Sequence, residues 1–142
     1  MTPPQRLALV IPAAGQSTRL GGDRRKPLVE ILGLPVLAHT LNRFRSVPGI
    51  EQTVIVAHPD DVPGIRATSW PRLAELGATD LVEGGSRRQD SVARGVAALH
   101  PGIKIVLIHD AVRPLVPRRA IDEAIAAAAR WGAAVVAMPV PD

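Results

Sequence analysis

The chain contains no cysteine and no tyrosine, one phenylalanine and two tryptophans. The missing cysteines exclude disulfides and thiolate metal sites and fit a reducing compartment, so a cytoplasmic location is expected. With aromatics at 2%, the interior must be filled by Val, Ile, Leu and Ala. Surfaces that stack nucleobases along a nucleic-acid strand are also excluded, because no aromatics are interleaved with the arginines. No apolar run is long enough to span a membrane; the best candidate, 120–140, is interrupted by Asp122, Glu123 and Arg130. The opening fifteen residues superficially resemble a secretory signal, but Pro12 breaks the apolar run and the segment leads directly into a cationic loop. Two common phosphate motifs are absent as well. There is no Gly-Lys pair for a Walker loop, and Ser17 stands where a dinucleotide fingerprint needs its second glycine.

What is present is one domain's length, 142 residues, with 46% hydrophobic and 21% charged residues, the balance of a folded globular chain. The net charge is +4. Its densest cluster lies in the stretch Leu7–Pro27, around which the chain is organised. Leu7 to Pro12 is apolar almost without a break, as in a strand buried on both faces of a parallel sheet. Ala13-Ala14-Gly15 strips the following turn of side chains, so backbone N–H groups can approach phosphate oxygens. Arg19, Arg24, Arg25 and Lys26 follow, opposed by Asp23 alone. A bare turn followed by clustered cations suits a polyphosphate, although a Gly- and Arg-rich strand–helix loop is the plainer alternative. The charge thus points to a small polyphosphate, with nucleic acid not expected as a partner.

Along the rest of the chain, strand and helix patterns alternate. Pro27 to Gly33 reads as extended, and Pro35 opens a helix carrying Val36, Leu37, Leu41 and Phe44, closed by Pro48-Gly49. Gln52–Ala57 is a second strand, ended by His58-Pro59-Asp60-Asp61. A short helix is predicted at 70–77 and a third strand at Thr79–Glu83. Ser86 and Gln89 spell a capping box for a helix reaching Leu99. Lys104–His109 is a fourth strand, Pro117 to Trp131 a helix closed by Gly132, and Ala133–Met138 a fifth strand. The expected fold class is α/β, with a doubly wound, mainly parallel sheet. Ligands of such sheets bind outside the carboxyl ends of the strands, and 13–27, 84–91 and 109–114 all fall on that edge.

The second of these stretches, Gly84 to Val92, is either a glycine turn lying against a flat base, with Ser91 reaching the same ligand, or a tight capped turn. In the third, His109 to Pro114, Asp110 is either a Mg²⁺ ligand beside phosphates or a partner for Arg113.

Together these segments resemble the 2-C-methyl-D-erythritol 4-phosphate cytidylyltransferase family, whose motifs run P-A-A-G…R…PK, G-G-x-x-R-x-x-S-V, H-D-A-A-R-P and P-V-x-D. The counterparts here are Pro12 to Pro27, Gly84 to Val92, His109 to Pro114 and Pro139 to Asp142. Ser17, Ser86 and Val112 depart from the family's usual glycine, aspartate and alanine. The resemblance implies a Rossmann-like nucleotidyltransferase fold and transfer of a cytidylyl group from CTP to methylerythritol phosphate, releasing pyrophosphate. It implies that Pro12, Ala13, Ala14 and Gly15 lie along the triphosphate and ribose, and that Gly84, Gly85, Ser86, Ser91 and Ala111 hold the nucleotide. Arg19 and Lys26 would stabilise the α-phosphate and Asp110 would hold Mg²⁺, with Arg88 and Arg113 as further candidates. Family members continue past the position of Asp142, so residues 1–142 are expected to be the CTP-binding portion of a single domain that is a homodimer at full length. The ribitol 5-phosphate enzyme, which shares these motifs, and a non-catalytic nucleotide-binding module are the alternatives.

Overall fold

A computed structural model describes residues 5–15 and 25–139. The first strand, β1 (Leu7–Ala13), is buried on both faces, as its unbroken apolar run predicts. Among the described residues, the first helical piece is a 3₁₀ turn, Lys26–Leu28. It leads into a hairpin of β2 (Glu30–Ile31) and β3 (Leu34–Pro35), whose turn places Leu32 and Gly33 at φ 52° and 76°. The segment expected to be simply extended is therefore folded back on itself. Helix α1 (Val36–Phe44) follows, with Pro35 as its N-cap, and buries Leu37, Ala38, Leu41 and Phe44.

Strand β4 (Ile50–Ala57) pairs in parallel with β1. Beyond it the chain is helical over a longer span than the predicted 70–77: α2 (Val62–Gly64), a π turn at Ile65–Ser69, then α3 (Trp70–Glu75). Pro63 and Pro71 each sit in the first turn of a helical piece, where a missing N–H costs little. Across the π turn the Trp70 N–H reaches the Ile65 carbonyl, five residues back.

Strand β5 (Asp80–Glu83) pairs with β4, and β6 (Ile105–Ile108) with the other side of β1, giving a parallel sheet ordered β5-β4-β1-β6. Between them α4 (Arg88–Ala97) starts one residue later than its predicted box. Arg87 is the N-cap and Asp90, in place of Gln89, accepts its N–H at 3.2 Å; the Ser86 hydroxyl is spent on the same carboxylate at 3.3 Å. Helix α5 (Arg118–Trp131) ends at Gly132, which takes φ 86° as the predicted closing glycine.

The fifth predicted strand is corrected. Residues 133–139 form no strand, and Val135, Val136 and Met138 are exposed. A β-branched run becomes a strand only when a neighbour completes its hydrogen-bond ladder, and no described segment pairs with this one.

Helices cover both faces of the sheet, as doubly wound topology requires. On one face Leu9 and Ile11 pack with Leu37, Leu41, Leu73 and Ile121; on the other Val10, Val54 and Val56 meet α4 and the residues after it. Gly95 lets α4 come this close, since a Cβ there would lie 2.9 Å from the Val56 side chain. Among the described residues, no helix is long and apolar enough to cross a membrane.

Candidate active site

The chain leaves β1 for β4 and β5 on one side, then returns to β6 on the other. The loops after β1 and β6 therefore diverge at the carboxyl edge and open a crevice, where ligands of such sheets bind. A cleft of about 640 Å³ lies there. Its walls come from the three stretches singled out in the sequence: Pro12 to Gly15 with Lys26, Gly85 to Arg88 with Ser91, and Asp110 to Val112. Arg19 and Ser17 lie outside the described residues.

Four of the residues singled out in the sequence make contacts within the protein, and two of them, Ser86 and Ser91, also line the cleft. Gly84 is absent from the cleft wall. Its N–H donates to the Ala57 carbonyl at 2.7 Å, and a Cβ would collide with the Ala14 Cβ and lie 2.8 Å from the Ser91 Oγ. It is a packing glycine that lets the first two loops close against each other. Ser91 is buried, and its hydroxyl accepts the Gly85 N–H at 3.1 Å. Ser86 is turned to Asp90. Arg25, counted with the phosphate-facing cations, lies off the cleft wall and pairs with Asp60 and Asp61.

Asp110 is held from two sides. Arg88, in the first turn of α4, reaches Oδ1 with Nη2 at 2.7 Å, and Arg113 donates from Nε to Oδ2 at 3.1 Å. Partial burial alone would raise the Asp110 pKa; the two guanidiniums outweigh it and hold the carboxyl below its ordinary value. The pairing with Arg113 that the sequence left open is present, and Arg88 adds to it. Among the described residues no three His, Cys, Asp or Glu side chains gather as a metal cage. Asp110 is the one carboxylate on the cleft wall, so a magnesium ion there could take a single carboxylate from the described residues and would need ligand oxygens to complete its shell.

Two supporting residues escaped the sequence reading. Thr40, fully buried on α1, donates from Oγ1 to the Ala111 carbonyl at 2.7 Å. Its signal was a polar residue three positions from Leu37 on an apolar face. Arg94 donates to the Gly84 carbonyl at 2.7 Å, fixing the glycine turn from within α4. Arg87 also lines the cleft.

The parallel sheet with this crevice is a nucleotidyltransferase fold, shared with solved 4-diphosphocytidyl-2C-methyl-D-erythritol synthases. The family model described as 2-C-methyl-D-erythritol 4-phosphate cytidylyltransferase matches residues 7–142, and the chain belongs to that family. It is similar to the protein of that name from Cereibacter sphaeroides, 46% identical over 136 residues, which are 95% of this chain and 59% of the relative. The Pelotomaculum thermopropionicum protein of the same name is 38% identical, with 96% of this chain and 58% of the relative covered. Among solved structures, 4-diphosphocytidyl-2C-methyl-D-erythritol synthase from Anaerococcus prevotii superposes with a TM-score of 0.69 at 29% identity, covering 87% of this chain and 50% of that one. The chain thus spans somewhat over half the length of the relatives it matches.

Proposed function

We propose that this chain binds CTP in the carboxyl-edge cleft and supplies the nucleotide half of a cytidylyl transfer to 2-C-methyl-D-erythritol 4-phosphate, giving 4-diphosphocytidyl-2-C-methyl-D-erythritol and pyrophosphate. The observation that carries this is the family match spanning all three cleft loops. The chemistry agrees with the residues. The attacking phosphate is already an anion, so no general base is required; two polyanions must be positioned and their repulsion screened. In this reading the side-chain-poor Ala13, Ala14 and Gly15 let the triphosphate lie against the backbone. Lys26, on the wall of the same cleft, offers its ammonium to the α-phosphate, a role that the family resemblance also gives to Arg19. Gly85, with its N–H held toward Ser91, forms the bed for the pyrimidine. Arg88 and Arg113 exchange the Asp110 carboxylate for phosphate oxygens. Asp110 would hold a magnesium ion together with the phosphates, and the ion would supply charge neutralisation.

Calorimetric titration of the chain with CTP, ATP and GTP in Mg²⁺ tests the nucleotide half. CTP is expected to bind at least tenfold more tightly than either purine, as roughly 1.4 kcal/mol of selective contact provides. Equal binding of a purine triphosphate overturns the assignment. Pyrophosphate release on adding methylerythritol phosphate, compared with ribitol 5-phosphate, tests the acceptor.

A further inference from the structure

Arg25 immediately precedes Lys26, yet its side chain lies off the cleft wall and is partly buried against the turn that follows β4. Nη2 lies 2.8 Å from the His58 Nδ1 and 3.4 Å from the Asp60 Oδ2. Nε forms an ion pair with the Asp61 Oδ2 at 3.3 Å, with 22% of the arginine side chain and 19% of the aspartate exposed. That Nε is buried without a hydrogen-bond partner, so on the Asp61 side the guanidinium is compensated by proximity alone. The imidazole geometry is informative. Nδ1 faces two donors, the Arg25 guanidinium and the Asp60 N–H at 3.2 Å, with the Asp60 Oδ2 at 3.4 Å, and in the tautomer that leaves it a lone pair it accepts from both donors. His58 itself directly follows β4, and its carbonyl accepts the Asp61 N–H at 2.9 Å, so the receiving turn is built on the sheet. From the other end, Arg25 caps the 3₁₀ turn, its carbonyl accepting the Leu28 N–H at 2.9 Å while Pro27 is buried. The residue between these two anchors is Lys26, which lines the cleft.

We propose that Arg25, clamped between His58 and Asp61, is a positioning residue that fixes where the Lys26 ammonium meets the nucleotide's phosphates. A partly buried arginine with two acidic neighbours and an imidazole acceptor has most of its donors already directed away from any ligand, so its value to the site lies in its backbone. Holding one lysine in place before the ligand arrives spares the ordering of a long side chain on a mobile backbone. The inference rests on the CTP-binding reading above. It adds the residues that hold the lysine.

A double-mutant cycle separates this from the two simpler roles, direct phosphate contact and general stability. Calorimetry with CTP and Mg²⁺ is applied to the wild type, Arg25→Gln, Lys26→Ala and the double variant, with His58→Leu as a fifth protein. Each single change at 25 or 26 is expected to weaken CTP about tenfold, and the double variant no more than about twofold further, because residues acting through one another are not additive. His58→Leu is expected to behave like Arg25→Gln, since it removes the same anchor without touching a cation. Losses that multiply in the double variant, or a His58→Leu protein that binds CTP normally, overturn the proposal. If the wild type binds no CTP, the underlying nucleotide reading fails first and the inference falls with it; wild-type binding with an unaffected Arg25→Gln overturns the inference alone.

Discussion

The hydroxyl of Thr40 donates to the carbonyl of Ala111 at 2.7 Å across 71 residues of sequence, tying the centre of α1 to the loop that carries Asp110. Because Thr40 is fully buried, no water can replace the bond. Thr40→Val keeps the shape and orphans the carbonyl, so it is expected to destabilise the fold by about 1–3 kcal/mol. CTP binding should weaken as the 109–113 loop loosens, and Thr40→Ser should restore both. Denaturant unfolding of the two variants checks this; a Val variant as stable as the wild type removes Thr40 from the support of the site.

Gly84 gives a second expectation. A methyl group there would be driven into Ala14 and the Ser91 hydroxyl, on backbone that cannot move without breaking the 2.7 Å bond to Ala57. Gly84→Ala should cost about 1–3 kcal/mol by overpacking and should widen the contact between the first two loops, weakening CTP as well. Gly15→Ala is the control, since nothing lies within 4 Å of its added Cβ. It should leave stability within about 0.5 kcal/mol, and any loss of CTP binding there reports on the ligand itself.

These two glycines show how far sequence alone carries. The three loops, their strand-end placement and their convergence were legible, because apolar runs and small-residue turns are local signals. The function of Gly84 was not, because whether a glycine faces a ligand or a neighbouring loop depends on residues 70 positions away, here Ala14. The same limit explains Arg25. Charge counting placed it with Lys26, but the acids it pairs with, Asp60 and Asp61, arrive from the end of β4. The strand expected at Ala133–Met138 failed for a third reason, since β-propensity requires a partner that a linear reading does not supply.

The ion pairs of Asp110 predict a pH dependence. Its folded-state pKa is held below the ordinary carboxylate value by Arg88 and Arg113. A depressed pKa contributes stability above the unfolded-state value, roughly 3.9. That contribution is lost as pH falls through the lower folded-state value. Asp110→Asn should therefore melt below the wild type at pH 7, with the gap closing as pH drops below about 4. Solvent screening of this partly exposed group keeps the gap small. A difference that is constant from pH 7 to pH 2 would show that the carboxylate's charge plays no part.

The last expectation concerns the apolar surface beyond α5. Trp131, Val135, Val136 and Met138 are largely exposed, and on β6, one of the two edge strands of the described sheet, Ile108 is half exposed. An edge strand presents unpaired N–H and C=O groups, and an adjacent β-branched segment such as 133–138 has the composition to pair with such an edge in another molecule. The chain should therefore self-associate with rising concentration, and more so in high salt, where its positive net charge is screened. Introducing charge at the most exposed position, Val135→Lys, places a cation on any strand pairing formed by this segment and should shift sedimentation profiles toward monomer. The change should leave thermal stability within about 0.5 kcal/mol, because an exposed side chain far from the core is replaced. A Val135→Lys protein that associates as strongly as the wild type would locate the contact elsewhere on the surface, away from both β6 and the segment after Gly132.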